Sequence, residues 1–353
     1  MDLDFWPFNR VAVKQRSFIA RQLAVMVDAG LPLTQAFQSL SDQVQNKQIS
    51  EVMRQVLNDL ENGYRLADAL KKHPRVFSQV FVAVTAAGEA TGKLGVTMQM
   101  LADDLERDQS TRSHMVGALL YPGFVVGAMI VVAIIMVTRI VPALQQVFKE
   151  SNLALPWTTR LVVAVTNSLL HYWFWYLLGL AGLVALLVHY LHSNDGRRRF
   201  DALVLKTPVV GQVMQNVEME RFNRILGMMI ASGVPIIQAI EAVAEVLDNM
   251  AYREVMVALA RNVERGATMS QTLVKYKEIP TQVTEMIAVG EQTGRLDEIL
   301  GRLANHYREE VDQGVKNMSS LLEPIVFVIV GLGVAFLVVS IIVPIYGLSG
   351  AIQ

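Results

Sequence analysis

Apolar residues recur along much of the chain at the three- and four-residue spacing of amphipathic helices, and no stretch shows the competing alternation of strands. From Ser17, the residues Phe18, Leu23, Val25 and Met26 supply the apolar faces of a first helix that stops at Gly30. Gly30 suits the left-handed cap conformation, and Pro32 suits the first turn of a new helix, so the pair predicts a tight corner. A second helix follows from Leu33 to about Gln45, and a third from Ile49 to Glu61, ending at Asn62-Gly63. Leu66, Ala69 and Leu70 predict a short fourth before Pro74. Val80 to Glu89 is a fifth, and Leu94, Met98, Leu101, Ala102 and Leu105 form the stripe of a sixth. Residues 1–16 are thus a lead-in, and 17–117 read as a helical domain.

The pattern then turns continuously apolar. Residues 118–141 carry no charge until Arg139, and 24 residues are enough to cross a bilayer. Arg139 lies near the far end, where it can snorkel to the interface. A mixed connector covers 142–170, with Pro156 and Trp157 in it. A second span, 171–191, opens on the interfacial aromatic run Tyr172-Trp173-Phe174-Trp175-Tyr176. Residues 192–322 return to helical spacing, with helices expected at 227–232, 235–246, 252–265, 283–291 and 296 to about 315. A third span follows at 325–346.

The second helical stretch repeats the first. Gly-Glu-Ala-Thr-Gly-Lys-Leu at 88–94 returns as Gly-Glu-Gln-Thr-Gly-Arg-Leu at 290–296, with five of seven residues kept. Gly30-Leu31-Pro32 is echoed by Gly233-Val234-Pro235, Gly63 by Gly266, Leu120-Tyr121-Pro122 by Leu322-Glu323-Pro324, and Ile140-Val141-Pro142 by Ile342-Val343-Pro344. The offset is 203 early and 202 from residue 88 onward. A register kept across polar and apolar positions alike marks an internal duplication. The expected fold class is an all-α membrane protein with two homologous cytoplasmic six-helix bundles and three transmembrane helices.

Composition agrees with a membrane class: 52% of the 353 residues are hydrophobic and 18% charged, with a mean hydropathy of +0.36. Net charge near zero gives no case for nucleic-acid binding. The absence of cysteine excludes disulfides and thiolate chemistry. Asp2 and Asp4 before Phe5-Trp6-Pro7-Phe8 do not read as a signal peptide. Thirteen Lys and Arg precede the first span, fifteen separate the second and third, and only Lys149 and Arg160 lie between the first and second. The positive-inside rule therefore puts both helical domains and the N-terminus in the cytoplasm, and the connector and C-terminus outside.

Candidate chemistry is sparse. There is no Walker loop, HExxH or nucleophile elbow, and the six His are scattered, so catalysis has no foundation. The spans carry no ionisable residue near their centres, which argues against ion transport. The repeated turns at Gly88 and Gly290 set the acidic Glu89 and Glu291 near exposed glycines, as a ligand site would, but the favoured reading is structural: Gly92 and Gly294 break one helix, Thr91 or Thr293 helps start the next, and Glu89 or Glu291 caps backbone donors. One carboxylate is far short of a cation site. Glu323, beside Pro324 at the mouth of the third span, is either a functional acid or an interfacial one reaching water. Gly123 and Gly127 form a GxxxG that permits close helix packing, and Gly331 to Ala335 is a small-residue echo.

The duplicated helical domain, the Gly-[Leu/Val]-Pro corner, the GExTGxL turn, the LLEP entering the last span and the closing VPIY resemble one family: the inner-membrane platform proteins of type IV pilus assembly and type II secretion. The resemblance covers about residue 17 to the end. It implies a non-enzymatic core of the assembly platform in the bacterial inner membrane, without a cofactor. It also implies docking to a hexameric cytoplasmic assembly ATPase, to alignment-complex membrane proteins and to pilin or pseudopilin subunits, and a homo-oligomer, a dimer being favoured. Gly30, Pro32, Gly88, Glu89, Gly92, Pro122, Gly123, Gly127, Gly233, Pro235, Gly290, Glu291, Gly294, Glu323, Pro324 and Pro344 are the positions that carry the family pattern as structural or partner candidates. Some secretion-type members are associated with calcium at the first domain, but Lys93 stands where an extra acid would complete such a site, so no metal is expected. The isoleucine- and valine-rich ending inclines to the pilus branch, with type II secretion as the alternative.

Overall fold

The computed structural model describes residues 13–135, 138–139, 142–143, 146 and 157–351, and all the elements among them are helical. The first repeat contributes α1 (Val13–Asp28), α2 (Leu33–Gln43), α3 (Lys47–Glu61), α4 (Leu66–Lys71), α5 (Gln79–Thr91) and α6 (Leu94–Ile135). Then come α7 (Trp157–His192) and α8 (Asn194–Lys206). The second repeat contributes α9 (Val210–Ala231), α10 (Ile236–Val246), α11 (Met250–Glu264), α12 (Met269–Leu273), α13 (Thr281–Thr293) and α14 (Leu296–Ala351).

Local chemistry sets the same boundaries twice. Every glycine with positive φ among the described residues belongs to a matched pair: Gly30 and Gly233 at 76° and 85°, Gly63 and Gly266 at 82° and 87°, Gly92 and Gly294 at 69° and 70°. A residue with a Cβ pays to enter this region, so the six glycines hold the helix ends in place. Asn46 starts α3 by accepting from the Gln48 and Ile49 N–H groups, and Asn249 starts α11 by accepting from Ala251 N–H. Pro32 and Pro235 sit at the matching N-cap positions of α2 and α10.

Packing divides the chain into two units. One holds the chain up to His114 and again from Asp201 to Gly314; the other holds the remainder. In the first, both repeats share one continuous core. Phe37, Leu40, Met53, Leu70, Val84 and Leu101 are buried in the first half, and Phe222, Met229, Ile240, Tyr252, Leu259 and Leu300 in the second. Truncating one such leucine to alanine costs about 2–5 kcal/mol.

The second unit is built from the later parts of α6 and α14 together with α7, and large apolar side chains such as Leu120, Phe124, Leu183, Leu186 and Leu332 stand on its surface. Among the described residues, no helix is long and apolar enough to cross a membrane. The three apolar stretches of the sequence have side chains that fall partly outside the described set.

Several boundaries differ from the sequence pattern. The sixth helix of each repeat does not stop before the apolar stretch: α6 runs unbroken through Pro122 and α14 through Pro324 and Pro344. The connector is helical from Trp157, and α7 carries that helix on to His192 with a kink at Tyr172 (φ −112°, ψ 15°). The helix expected at 227–232 begins at Val210, because the charged cluster 218–224 that interrupts its apolar stripe is accommodated by partners described below. The connector residues 147–156 and the lead-in 1–12 lie outside the described residues.

Candidate functional site

The repeated GExTG turn has one geometry in both halves. Its first glycine lets two helices meet: a Cβ on Gly88 would fall on the Thr97 side chain, and one on Gly290 would lie 3.1 Å from Leu296 Cα. Its second glycine, Gly92 or Gly294, is the left-handed C-cap. Its glutamate caps a helix, though not the one that follows. Glu89 accepts from the Leu66 and Ala67 N–H groups at 3.1 and 3.3 Å, at the start of α4. Glu291 does the same for α12, accepting from Met269 N–H at 2.6 Å, from Ser270 N–H at 3.2 Å and from the Ser270 hydroxyl at 2.6 Å. The carboxylate thus meets exposed N–H groups at the positive end of a short helix. Thr91 and Thr293 do not start the next helix; their hydroxyls donate back to the Ala87 and Val289 carbonyls.

The positions near the apolar stretches are separate from this. Gly123 and Gly127 lie on an exposed part of α6, and a Cβ on either would meet nothing within 4 Å among the described residues, as at Gly331. Pro324 is exposed on α14. Pro122, Glu323 and Pro344 lie within the helices but outside the described side chains.

A denser polar cluster sits elsewhere, where the repeats meet. From α9, Arg224 donates through Nε to Glu220 at 2.7 Å and pairs across the repeats with Asp104 of α6. One turn earlier, Arg221 donates to Asp248 at 2.7 Å and lies 3.6 Å from Asp108 of α6. Glu218 is fully buried and accepts from Asn249 N–H at 3.1 Å, at the start of α11. Its second oxygen has no hydrogen-bond partner among the described residues. Between α5 and α10, the Gln79 amide faces the Glu245 carboxylate, to which it donates once its nitrogen is turned toward the acid.

Burial governs the charges in this seam. It pushes the carboxyls of Glu218 and Glu220 up to about 7, even though Arg221 draws both down. It also lowers the Arg224 guanidinium to about 10, helped by the like charge of Arg308. A salt bridge this deep is weak as a source of stability but strongly selective, since removing one partner strands the other.

None of these seam residues was singled out from the sequence. The available signal was Glu218, Glu220, Arg221 and Arg224 within seven residues of an otherwise uncharged segment. Among the described residues, no group of His, Asp and Glu could hold a metal ion. The arrangement as a whole caps, aligns and locks helices.

The sequence profile of the family described as type II secretion system (T2SS), protein F matches residues 19–142 and again 222–344, the two repeats. The chain is 32% identical to the type IV pilus assembly protein PilC of Myxococcus xanthus over 352 residues, 100% of this chain and 84% of that one. It is 32% identical to the PilC of Thermus thermophilus over 342 residues, 97% of this chain and 84% of its relative. Type II secretion system protein F of Aeromonas hydrophila is equally similar, at 32% over 349 residues, 98% of this chain and 89% of that one. With both repeats matched, and with relatives of both names aligned along nearly the full chain, the protein belongs to the type II secretion system protein F family.

Proposed function

We propose that the chain is a non-enzymatic platform protein of type IV pilus assembly in the bacterial inner membrane. It couples a hexameric cytoplasmic ATPase to the insertion of pilin subunits. The observation that carries this reading is the fusion of two family repeats into one body with a shared core and a locked polar seam, from which two long helices lead into apolar sequence. A partner pushing on such a body moves both helices together. Residues 118–141, 171–191 and 325–346 act as its spans, with both helical halves in the cytoplasm and the C-terminus outside. The exposed Phe124 (77%) and Leu186 (69%) support this, since water does not tolerate contiguous surfaces of that kind. Glu323 sits at the interface, and alignment-complex proteins and a second copy of the chain complete the platform.

A second reading is kept by the equal similarity to a secretion protein F: a platform that extends a pseudopilus to export proteins. The same body serves both.

Two measurements test the proposal. The detergent-solubilised full chain is expected to bind the assembly ATPase encoded with it, and absence of binding to a folded hexamer would reduce the platform to a passive scaffold. Because the chain has no cysteine, single reporters test the topology. Asn58→Cys should be shielded from an impermeant maleimide in intact cells, and Ser151→Cys should be labelled. The reverse pattern removes the assigned orientation.

A further inference from the structure

Helix α8 follows α7 at a corner that local chemistry fixes. The Ser193 hydroxyl donates to the Tyr190 carbonyl at 2.7 Å and accepts from Gly196 N–H at 3.1 Å, while the Ser193 carbonyl accepts from Arg197 N–H at 2.9 Å. A Cβ on Gly196 would fall on the Tyr190 carbonyl, so the turn needs glycine. Past the corner, α8 has two unlike faces. Inward, Asp201 accepts from Met250 N–H at 3.0 Å at the start of α11, and Leu205 packs against the core. A Cβ on Gly211 of α9 would fall on the Leu205 carbonyl, so α9 also closes against this side. Outward, Arg199, Ala202, Leu203 and Lys206 follow the i, i+3, i+4, i+7 spacing of one helix face. All four are exposed, with Phe200 beside them.

Leu203 is 65% exposed and Phe200 49%. Between residues 196 and 210 the one acid is Asp201, which is turned inward, so the charges of the outward face are all positive. That face continues the apolar surface of α7, where Leu183, Leu186 and Tyr190 are exposed, and it adds positive charge where that surface ends. Apolar side chains flanked by guanidinium and ammonium groups match the boundary between acyl chains and anionic headgroups. We propose that α8 lies in the headgroup layer of the cytoplasmic leaflet and binds anionic phospholipid. Phe200 and Leu203 enter the upper acyl region, and Arg199 and Lys206 meet phosphate oxygens. The proposal rests on residues 171–191 spanning the bilayer. It does not depend on whether the platform builds pili or pseudopili.

The test uses single fluorescent reporters on cysteine in the full chain, reconstituted into vesicles that mix phosphatidylcholine and phosphatidylglycerol. Ala202→Cys reads the outward face of α8, exposed Val289→Cys serves as comparison, and Leu183→Cys reads α7. Lipid spin-labelled high on the acyl chain should quench Ala202→Cys more than Val289→Cys, and labelled phosphatidylglycerol more than labelled phosphatidylcholine. Adding Arg199→Gln should lower that preference about fivefold, the worth of one basic residue near an anionic surface. Lipid labelled deep in the acyl chain should quench Leu183→Cys; if it does not, the spanning reading falls and this proposal with it. With Leu183→Cys quenched, three results would each overturn the proposal alone: quenching at Ala202→Cys no stronger than at Val289→Cys, no preference for the anionic lipid, or a preference unmoved by Arg199→Gln. A shield over Ala202→Cys that persists in detergent would overturn it too, by assigning the face to a protein.

Discussion

Arg21 and Arg224 occupy the same position in the two repeats, yet Arg21 closes on Asp103 and Glu106 of its own repeat while Arg224 reaches across to Asp104 of the other. The cause is a charge inversion. Where the first repeat has Glu106, the second has Arg308, and where the first has Asp103, the second has Asn305. Arg224 has no acid on α14 to match those that serve Arg21. Its charge is met by Glu220 on its own helix and by α6.

The two arginines should therefore differ sharply on substitution. Arg224→Ala leaves Asp104 and Glu220 without their buried partner and is expected to cost about 3–5 kcal/mol. Arg21→Ala, whose partners are half exposed, should cost about 0–1 kcal/mol. Thermal unfolding of the purified full chain in detergent reads both. Equal losses would show that the cross-repeat pair is no more buried in solution than the local one.

Stability should also fall as pH rises through neutrality. Burial lifts Glu218 and Glu220 from an ordinary 4.5 to about 7, so the folded state holds extra protons between those values. Their contribution is complete below about 4.5 and is lost as pH climbs through 7. Glu218 faces Arg221, Asp248 and Asp201; Glu220 faces Arg221, Arg308, Arg107 and Asp108. Melting midpoints taken from pH 5 to 8 should decline, and Glu218→Gln, which keeps an acceptor for Asn249 N–H, should flatten the curve. A decline of the same slope in that variant would remove Glu218 as the source.

The two capping glutamates should rank in order of their donors. Glu291→Ala removes the acceptor for three groups and Glu89→Ala for two, so the first should cost more, each on the order of 1–2 kcal/mol. Amide exchange at Met269 and Ser270 should speed up in Glu291→Ala while the α14 amides stay protected. Unchanged exchange at these two amides would contradict the capping role.

The glycines of the first turn should fail for different reasons. Gly88→Ala drives a Cβ into Thr97, and Thr97→Ala should recover part of the loss by removing the atoms in the way. Gly92→Ala meets nothing within 4 Å but must hold φ near 69°, so it should cost about 1–2 kcal/mol with no rescue from Thr97→Ala. A rescue of both variants would refute the distinction.

Much of the fold was legible because its punctuation is chemical. Gly30, Gly63 and Gly92 and their twins each need a backbone state that only glycine enters cheaply, so their spacing reproduced the helix ends of both repeats. The caps were partly legible: Glu89 and Glu291 were read as capping groups, but the capped helix lies 22 residues or so upstream, and only tertiary packing brings α4 or α12 to the acid. The start of α9 was lost because Glu218, Glu220, Arg221 and Arg224 break its apolar stripe, and a stripe is all that a single sequence offers. The seam stayed hidden for the same reason. Arg21 and Arg224 look alike in one dimension, and the difference between them is the identity of residues eighty and more positions away.

The inversion between Glu106 and Arg308 also constrains how such a chain can have arisen and how it can be cut. Two identical halves could not form this joint, since an unaltered copy would offer an acid on its long helix to every Arg224-like residue and leave no reason to reach across. The joint needs unlike halves, and a common polypeptide guarantees that unlike halves meet. Severed within the 142–170 connector and co-expressed, the halves should re-form the mixed pair in preference to either self-pair.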